Sequence, residues 1–572
     1  MVGNMAKRKQ IKQQNILGFI ISLAIILLIN YIVSFVHFRI DLTAEKRYTL
    51  TDQTKELLKN LDDIVYFKVY LDGDLPAGFS RLRNSTKELL DEFRVYGNDN
   101  IHYEFINPSE LKDKTARDEL YRDLYKKGLD PTNMKEKDEE GKTSQKIIFP
   151  GTVVTFQSKE LAVNLLKNNI SMPPEVNLNN SIQDLEYEFV RIIKKLSTEK
   201  TPKIGFIEGH GELSDIQVAD ITNALFDFYS VKRVKIAANL DALKDFDVIV
   251  IAQPDTLFDE KDKFIIDQFI MNGGKSLWLI DAVKIDLDSL AYTNATIGMV
   301  NYTNIEDQLF KYGVRVNPVL VQDLQCAVIP INTAVVGAPP QFAPSAWYYF
   351  PLIAPPSSHM ITKNLNLLKS EFANTIDTVG EGLNIKKTIL LYSSQYSKTI
   401  SAPARVSLDI MKYEPDKRMF SSPYLPMAVL LEGEFESLFK NRITPDIAFN
   451  KDIGFKEYSV PTKMIVVADG DMIRNLYRKE NGQITPYPLG FDRYTGQTYG
   501  NKEFILNAIN YLCDDSGLLS LRAREIKLRL LDKAKIMDEK FKWQLINTIL
   551  PIAFIIAFGI VIGIYRKRKY AK

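Results

Sequence analysis

The stretch DVIVIA at Asp247–Ala252 is a continuous apolar run after its first residue. Such runs are typical of strands that are covered on both faces of a sheet. Two further apolar segments, Lys203–Ile207 and Ser276–Ile280, lie before and after it. Between the second and third of these segments, Asp259 can cap a helix that Gly273-Gly274 can end. This alternation of strands and helices predicts an α/β fold with a doubly wound, mostly parallel sheet.

A smaller α/β domain is predicted upstream of this sheet. Ile64–Leu71 and Ile101–Ile106 have the composition of strands, and Ser80–Tyr96 between them has the pattern of an amphipathic helix. Such βαβ spacing is typical of a small α/β unit. A further helix at Ser181–Leu196, with apolar residues at helical spacing, leads to a predicted domain boundary near Thr201-Pro202.

Two apolar spans, Ile16–Phe38 and Leu545–Tyr565, contain no Asp, Glu, Lys or Arg. Each has about 20 residues, which is enough for a helix to cross about 30 Å of hydrocarbon. Basic residues flank both spans at the chain ends and resist translocation, so both termini are predicted to be cytoplasmic. The region between the spans then lies on the periplasmic side of a bacterial inner membrane. A cleaved signal peptide is a weaker alternative for the first span, because Ser34–Phe38 offers no pair of small residues.

The predicted organisation therefore begins and ends in the cytoplasm. Its segments are a basic tail (1–15), a transmembrane helix (16–38), an N-terminal periplasmic α/β domain (39–200), a larger α/β domain (201–519), a helical stalk (520–542), a second transmembrane helix (543–565) and a second basic tail (566–572). The stalk is predicted because this stretch is charged and rich in helix-forming residues.

The outer region is acidic once the two tails are set aside. The chain has 73 basic and 71 acidic residues, and nine of the basic residues lie in the tails, which contain no acidic residue. This leaves 64 basic residues against 71 acidic ones, an excess that argues against nucleic acid or anionic lipid as a partner. Cys326 and Cys513 are too few for a disulfide framework, and they can either pair or be buried thiols.

The sequence does not predict a phosphate-binding loop. Gly274-Lys275-Ser276 has the required ending, but Phe269 stands where the first glycine is needed and the segment follows a helix. Gly141-Lys142-Thr143 has Glu136 at the corresponding position. If the protein works in an ATP-driven complex, another subunit is expected to hydrolyse the nucleotide. No cofactor or metal is expected in this chain.

The segment with the most enzyme-like composition contains Glu208, His210 and Glu212, directly after a predicted strand. Carboxylates beside an imidazole can act as acid and base or bind a metal. However, the chain has only four histidines, and it lacks a second metal-ligand motif and a nucleophile elbow. A glycine turn that is structural or contacts a partner is therefore favoured, and a ligand or catalytic site remains the alternative.

Trp347, Tyr348, Tyr349 and Phe350 form an aromatic stretch between proline pairs. Aromatic anchors dominate the energetics of many protein interfaces, so an exposed docking loop is one interpretation. The other is that the rings complete the core.

Small residues four positions apart occur in both spans, as Gly18 and Ser22 in the first and as Gly559 and Gly563 in the second. Such pairs open a groove in which another helix can approach closely. They predict contact between the spans, or with a third membrane helix.

Several stretches together resemble the GldG family, the gliding-motility-associated auxiliary membrane proteins of ABC transporters in Bacteroidota. The stretches are Arg39–Thr51, Phe206–Glu212, Asn272–Asp281, Asn507–Leu512 and Leu521–Arg524. The resemblance covers essentially the whole chain. It implies a non-ATPase subunit that works with a membrane permease and a separate cytoplasmic ATPase.

The resemblance also implies an outer domain with the auxiliary, intraflagellar-transport-like fold, which is related to glutamine-amidotransferase-like α/β domains. Neither Cys326 nor Cys513 lies in the setting of an amidotransferase nucleophile, so the protein is not expected to be an enzyme. The first hypothesis is a subunit that couples the permease and ATPase to a periplasmic protein. The alternative is a membrane-tethered periplasmic hydrolase or ligand-binding protein that uses Glu208, His210 and Glu212.

Overall fold

A computed structural model of the protein describes residues 16–28, 49–111, 113–137, 143–167, 172–197, 201–226, 228–332, 334, 339–380, 384–450, 453–480, 482–514 and 533–570. The chain divides into a main unit, residues 1–524, and a C-terminal unit, residues 525–572.

The main unit begins with helix α1, Ile16–Leu28, whose side chains are exposed. The described part of this apolar stretch is shorter than the roughly 20 residues of a membrane span, so a first transmembrane helix stays a prediction. The rest of the predicted first span, residues 29–38, lies outside the described residues.

The N-terminal α/β region follows. Its elements are α2 (Asp52–Lys59), β1 (Val65–Val69), α3 (Ala77–Gly97), β2 (Ile101–Phe105), α4 (Lys114–Lys126), β3 (Thr132–Lys137), β4 (Thr143–Ile148), β5 (Gly151–Phe156), β6 (Lys159–Asn164) and α5 (Pro174–Ser197). Four strands form a sheet in the order β2-β1-β5-β6, while β3 and β4 pair with each other. Strands β1 and β2 are parallel and α3 connects them, which confirms the predicted βαβ unit.

Helices α3 and α5 pack together against this sheet. Phe189 of α5 lies between Phe67 of β1 and Phe93 of α3, with ring centroids 5.2 Å and 6.3 Å apart. All three rings are buried, so they form the centre of the core of this region.

The central α/β region contains the remaining elements of the main unit. They are β7 (Lys203–Glu208), α6 (Ala219–Phe226), β8 (Ser230–Lys235), β9 (Val248–Ala252), α7 (Glu260–Met271), β10 (Lys275–Leu279), β11 (Val283–Lys284), α8 (Leu287–Thr293), β12 (Ala295–Val300), α9 (Glu306–Tyr312), β13 (Val314–Asn317), β14 (Val319–Asp323), β15 (Cys326–Asn332), β16 (Phe342–Ile353), β17 (Leu368–Lys369), β18 (Thr375–Thr378), β19 (Ile385–Tyr392), β20 (Ser397–Ser401), β21 (Ala404–Ser407), β22 (Pro426–Gly433), α10 (Pro445–Ala448), β23 (Thr462–Val467), β24 (Tyr477–Glu480), β25 (Gln483–Pro486) and α11 (Asn501–Cys513).

Seven strands of this region form one sheet in the order β19-β22-β23-β10-β9-β7-β8. The five strands from β23 to β8 are parallel, and β22 is antiparallel to both of its neighbours. This confirms the predicted α/β sheet. The region also contains small antiparallel sheets, such as β11-β12-β21 and β15-β16-β17, which the sequence analysis did not predict.

Strand β9 explains why the sheet is buried on both faces. Its residues at 248, 250 and 252 face the core beneath α6 and α11, whereas those at 249 and 251 face the core beneath α7 and α9. The predicted cap of α7 is also present, because the Asp259 side chain accepts a hydrogen bond from the Asp262 N–H at 2.7 Å. Gly273 follows α7 with a φ of +94°, which favours glycine.

The aromatic stretch that the sequence analysis considered as a docking loop lies in β16. Trp347, Tyr348, Tyr349 and Phe350 are buried, with at most 9% of each residue exposed. The Trp347 ring lies 5.1 Å from that of Tyr349, and both belong to a core cluster with Phe372. The prediction of an exposed docking loop is therefore wrong. These rings are buried because they form the core under the small antiparallel sheets.

The C-terminal unit contains helix α12, Lys533–Tyr570. Its segment Glu539–Tyr565 has 27 residues, contains an 18-residue window with a mean hydropathy of 2.6, and is long and apolar enough to cross a membrane. The predicted second span lies within it. Of the predicted stalk, residues 520–532 lie outside the described residues, and the rest belongs to α12.

The four small residues predicted to pack helices lie on α1 and α12. A side chain added at Gly18, Gly559 or Gly563 would meet no atom within 4 Å, so each position is open. Ser22 is also exposed. Their contact with another helix stays a prediction.

Replacing Trp347 with Ala is expected to lower the free energy of unfolding by about 3–5 kcal/mol, because it removes a large side chain from a closed core. Thermal unfolding followed by the fluorescence of the buried Trp278 measures this effect. Tyr413→Ala is the control, since Tyr413 is 76% exposed and the expected change is within about 0.5 kcal/mol. Equal unfolding temperatures for the two variants would contradict the buried position of Trp347.

Candidate functional site

The strand order creates a crevice at the carboxyl edge of the seven-stranded sheet. Strand β7 has β8 on one side and β9 on the other, so the chain leaves β7 and β9 in opposite directions. Open α/β sheets place ligand sites at such topological switch points. The segments that follow β7, β9, β10 and β23 meet at this edge, and they contain the candidate residues.

The segment after β7 is a tight turn that depends on two glycines. Gly209 and Gly211 have φ values of +125° and +76°, which other residues rarely adopt. A Cβ at Gly211 would lie 1.7 Å from Oδ1 of Asp255, in the segment after β9. Glycine is therefore required at 211 by both the backbone conformation and the available space.

The turn places His210 between two carboxylates. Its Nδ1 lies 3.1 Å from Oε1 of Glu212, and its Nε2 lies 3.1 Å from Oδ2 of Asp262 at the start of α7. The ring also stacks on Phe258, with centroids 3.7 Å apart and an angle of 11° between the planes. His210 is 5% exposed, so this arrangement, which we call the histidine clamp, is buried.

The electrostatics of the clamp favour a protonated imidazole. Burial lowers the pKa of His210, but the hydrogen bonds and charges of Glu212 and Asp262 raise it by more, so the net pKa lies above its ordinary value. Burial raises the pKa of Glu212, and the hydrogen bonds from His210 lower it below its ordinary value. Both ring nitrogens then donate hydrogen bonds, so neither is available to bind a metal or to accept a proton from a substrate.

Glu208 does not join this clamp. Its carboxylate accepts a hydrogen bond from Nε of Arg233 at 2.8 Å and lies 4.0 Å from Nζ of Lys235. The structure therefore brings His210 and Glu212 together and places Glu208 in a separate ion pair. Asp262, which the sequence analysis did not connect with His210, is the second carboxylate of the clamp.

The segments after β10 and β23 form a second group, the carboxylate cluster of Asp281, Asp469 and Asp471. The amide Nε2 of Gln253 donates to Asp281 at 2.6 Å and to Asp471 at 2.9 Å. The backbone N–H of Gly470 donates to Asp281 at 2.6 Å. Asp469 accepts hydrogen bonds from the N–H of Asp471 and from side-chain and backbone donors of the segment that follows β17.

One cation partly balances this cluster. Nε of Arg474 lies 2.8 Å from Oδ1 of Asp471, and Nη2 lies 3.5 Å from Oε2 of Glu371. Burial and the neighbouring Asp281 and Glu371 nevertheless raise the pKa of Asp471 to about 7, although Arg474 lowers it. Burial, together with Asp471 and Asp281, also raises the pKa of Asp469 well above its ordinary value.

A cavity of about 240 Å³ opens between the turn and the cluster. It is lined by Gly211, Gln253, Asp281, Lys284, Asp471 and Arg474, among others. Its described lining contains no histidine, cysteine or serine, so it offers no nucleophile paired with a histidine base. Within the described ranges, no group of three His, Cys, Asp or Glu side chains has the arrangement of a metal site. The edge is polar and acidic, and its carboxylates are bonded mainly to the protein itself.

Neither Asp281 nor the Asp469-Gly470-Asp471 stretch was singled out from the sequence. Asp281 directly follows Ser276–Ile280, which was predicted as a strand, so the rule that α/β sites lie after parallel strands is the signal that points to it. The strand order determines which strand ends lie side by side. The local sequence pattern does not reveal this order.

The structure defines an α/β protein with a mostly parallel central sheet and a helix that is long and apolar enough to cross a membrane. A family described as an ABC-type uncharacterized transport system matches residues 201–508, more than half of the chain. The chain belongs to this family. A second family, a domain of unknown function (DUF7088), matches residues 44–155. The first of these matches supports an auxiliary role in an ABC-type transport system.

Comparison with individual proteins adds two similarities. An uncharacterized protein of Borreliella burgdorferi (strain ATCC 35210 / DSM 4680 / CIP 102532 / B31) is 22% identical, over 98% of this chain and 99% of that protein. Among solved structures, the N-terminal domain of mmIFT52 is 13% identical with a TM-score of 0.31, covering 55% of this chain and 98% of that domain. The broad family that the sequence resemblance indicated is confirmed, and membership of the GldG group itself stays a prediction.

Replacing His210 with Ala is expected to lower the free energy of unfolding by about 3 kcal/mol near pH 6, because two buried carboxylates lose their common partner. The folded-state pKa of His210 lies above its ordinary value. The contribution of the clamp is therefore complete below about pH 6.5 and is lost as the pH rises through the folded-state value. Thermal unfolding at several pH values measures this trend. The exposed His102, replaced by Ala, is the control, and a deficit that grows with pH would contradict the clamp.

Replacing Asp471 with Asn tests the carboxylate cluster. Because the folded-state pKa of about 7 is raised, protonation of Asp471 favours folding, and this contribution is lost as the pH rises from about 4 through 7. The asparagine of the variant does not titrate, so the variant is not destabilised in this way. The difference in unfolding temperature between the variant and the wild type is therefore expected to shift by roughly 5 °C in favour of the variant as the pH rises over that range. Asp118→Asn, at an exposed carboxylate on α4, should show no such gain. A constant difference between Asp471→Asn and the wild type at all pH values would rule out the raised pKa.

Proposed function

We propose that the protein is a non-ATPase auxiliary subunit of an ABC-type transport system, anchored in the membrane at both ends. The observation that carries this proposal is helix α12. Trp543 and Tyr565 are 22 positions apart, which corresponds to about 33 Å of helix and matches a hydrocarbon core of about 30 Å. Amphipathic aromatic residues are enriched at both membrane interfaces.

The charges beyond α12's apolar segment support its orientation. Arg566, Lys567, Arg568 and Lys569 follow Tyr565 directly, and four basic residues precede the first apolar span. Basic residues close to a span favour the cytoplasmic side. Both termini are therefore assigned to the cytoplasm of a bacterial inner membrane, and the α/β regions to the periplasm.

In this arrangement the protein couples a membrane permease and its cytoplasmic ATPase to a periplasmic protein. The small residues Gly18, Ser22, Gly559 and Gly563 are the proposed contacts with the permease, since they allow close helix packing. Because the chain is attached to the membrane at both ends, motion of the permease can be transmitted to the periplasmic regions through either transmembrane helix. A role in gliding motility is the most specific part of this proposal, and it depends on the resemblance to GldG alone.

The alternative of a periplasmic hydrolase has less support. Both ring nitrogens of His210 are engaged with Glu212 and Asp262, and Glu208 is paired with Arg233. The family suggests a non-catalytic role for the same region.

Purification of the tagged protein in mild detergent is expected to recover a permease with several membrane spans and an ATPase with a phosphate-binding loop, both identified by mass spectrometry. The double variant Gly559→Leu and Gly563→Leu should recover roughly tenfold less permease, because leucine side chains fill the groove. The control is Ile560→Leu with Ile564→Leu, which has the same spacing on a different helix face.

Full recovery of the permease by the double glycine variant would contradict the helix contact. The orientation has its own test, with a single cysteine placed at either terminus. Labelling of that cysteine by an impermeant reagent in sealed cells would contradict the cytoplasmic assignment.

A further inference from the structure

An open cleft of about 640 Å³ lies between the N-terminal and central α/β regions of the main unit. One wall comes from α5, the end of β6 and the residues around Asp130. The other comes from residues 364–366 and the first half of α11. Neither the proposed membrane anchoring nor the sheet edge uses this cleft. Its volume is in the range of sites that bind small molecules or a few residues of a peptide.

Direct contacts hold the two walls together. Nδ2 of Asn364 donates to Oδ1 of Asp184 at 3.3 Å, and the guanidinium of Arg191 lies 4.7 Å from the ring centroid of Phe228. Lys502 of α11 is also close enough to Asp130 to lower its pKa, although burial raises it by more. The cleft is therefore a feature built by both regions.

The lining of the cleft is rich in amides. Seven asparagines contribute: Asn164, Asn177, Asn180, Asn364, Asn366, Asn507 and Asn510. Asn507 is only 8% exposed, and its Nδ2 donates to the carbonyl of Ile361 at 3.0 Å. Among the described residues its Oδ1 has no hydrogen-bond partner. Asn507 lines the cleft, so this carbonyl oxygen is available to accept a hydrogen bond from a bound ligand.

The charges of the cleft are unevenly paired. Lys167 and Arg191 both bind Glu188, at 2.5 Å and 2.9 Å, so their charges are already engaged. Asp130 and Glu503 also line the cleft. Oδ2 of Asp130 accepts a hydrogen bond from Nδ2 of Asn164 at 3.0 Å, and Lys502 lowers the pKa of both carboxylates. Neither carboxylate forms an ion pair within the described part of the chain. Glu503 keeps accessible surface because it faces the opening, but the surrounding walls desolvate it and raise its pKa.

We propose that this cleft binds a cationic ligand with several N–H donors, through the carboxylates of Asp130 and Glu503 and the carbonyl oxygen of Asn507. Ammonium and guanidinium groups supply both a positive charge for the two carboxylates and N–H donors for the carbonyl oxygen of Asn507. Anionic ligands would meet two unpaired carboxylates. The same chemistry is offered by a free polyamine and by the lysine or arginine side chains of a partner polypeptide.

Calorimetric titration of the full-length protein in detergent tests the proposal with two probes, spermidine and an acetylated, amidated trilysine peptide. At least one probe is expected to bind, with an affinity that falls as the salt concentration rises. Glu503→Gln and Asp130→Asn should each weaken binding about tenfold or more, because each removes one charge-assisted contact. Glu119→Gln, at an exposed carboxylate on α4 outside the cleft, should leave the affinity within about twofold.

Binding of spermidine alone would support the proposal with a free amine as the ligand, and binding of trilysine alone would support it with a basic polypeptide. Three results would overturn it. The first is no binding of either probe at millimolar concentration. The second is binding that Glu503→Gln and Asp130→Asn affect no more than Glu119→Gln does. The neutral trisaccharide chitotriose, if it bound in place of both cations, would overturn the proposal as well.

Discussion

The main constraint on this protein is that a parallel sheet must be covered on both faces. Strand β9 has no polar side, so its alternate residues require two separate helical layers, and α6, α7, α9 and α11 supply them. Because both faces are covered, the loops at the strand ends are the parts of the sheet that remain open to solvent. The histidine clamp and the carboxylate cluster both lie in such loops, at the carboxyl edge of the sheet.

The carboxyl edge is acidic, and most of its carboxylates are hydrogen-bonded to other groups of the protein. His210 holds Glu212 and Asp262, and Gln253 holds Asp281 and Asp471, so the segments after β7, β9, β10 and β23 are connected to one another by side-chain hydrogen bonds. Removal of one partner from such a network leaves buried charges uncompensated, which costs more than the network contributes when intact. The described edge thus has the location of an α/β active site, but its groups bind each other.

The sequence predicted the elements whose pattern is local. The apolar run at Asp247–Ala252 and the cap at Asp259 were sufficient to predict β9 and α7, because burial on both faces and helix capping depend on neighbouring residues. The small antiparallel sheets were not predicted, since their strands pair across long loops. Trp347–Phe350 shows the same limit, because aromatic residues suit an exposed interface and a core equally well until their neighbours are known. At the site, the pairing of His210 with Asp262, which is 52 positions away, and the position of Asp281 beside Asp471 depend on strand order.

Helix α12 contains Pro551 within its apolar segment. Proline has no N–H, so the carbonyl of Asn547, one turn earlier, lacks its usual helical donor. In water this carbonyl would be solvated, but in hydrocarbon the missing bond weakens the helix at one defined depth. If α12 spans the bilayer, bending the helix at Pro551 breaks fewer hydrogen bonds than bending it at any other position. A force applied at the headgroup level would then bend the helix mainly at Pro551. The angle between the two halves of the span would change, while each half stayed straight.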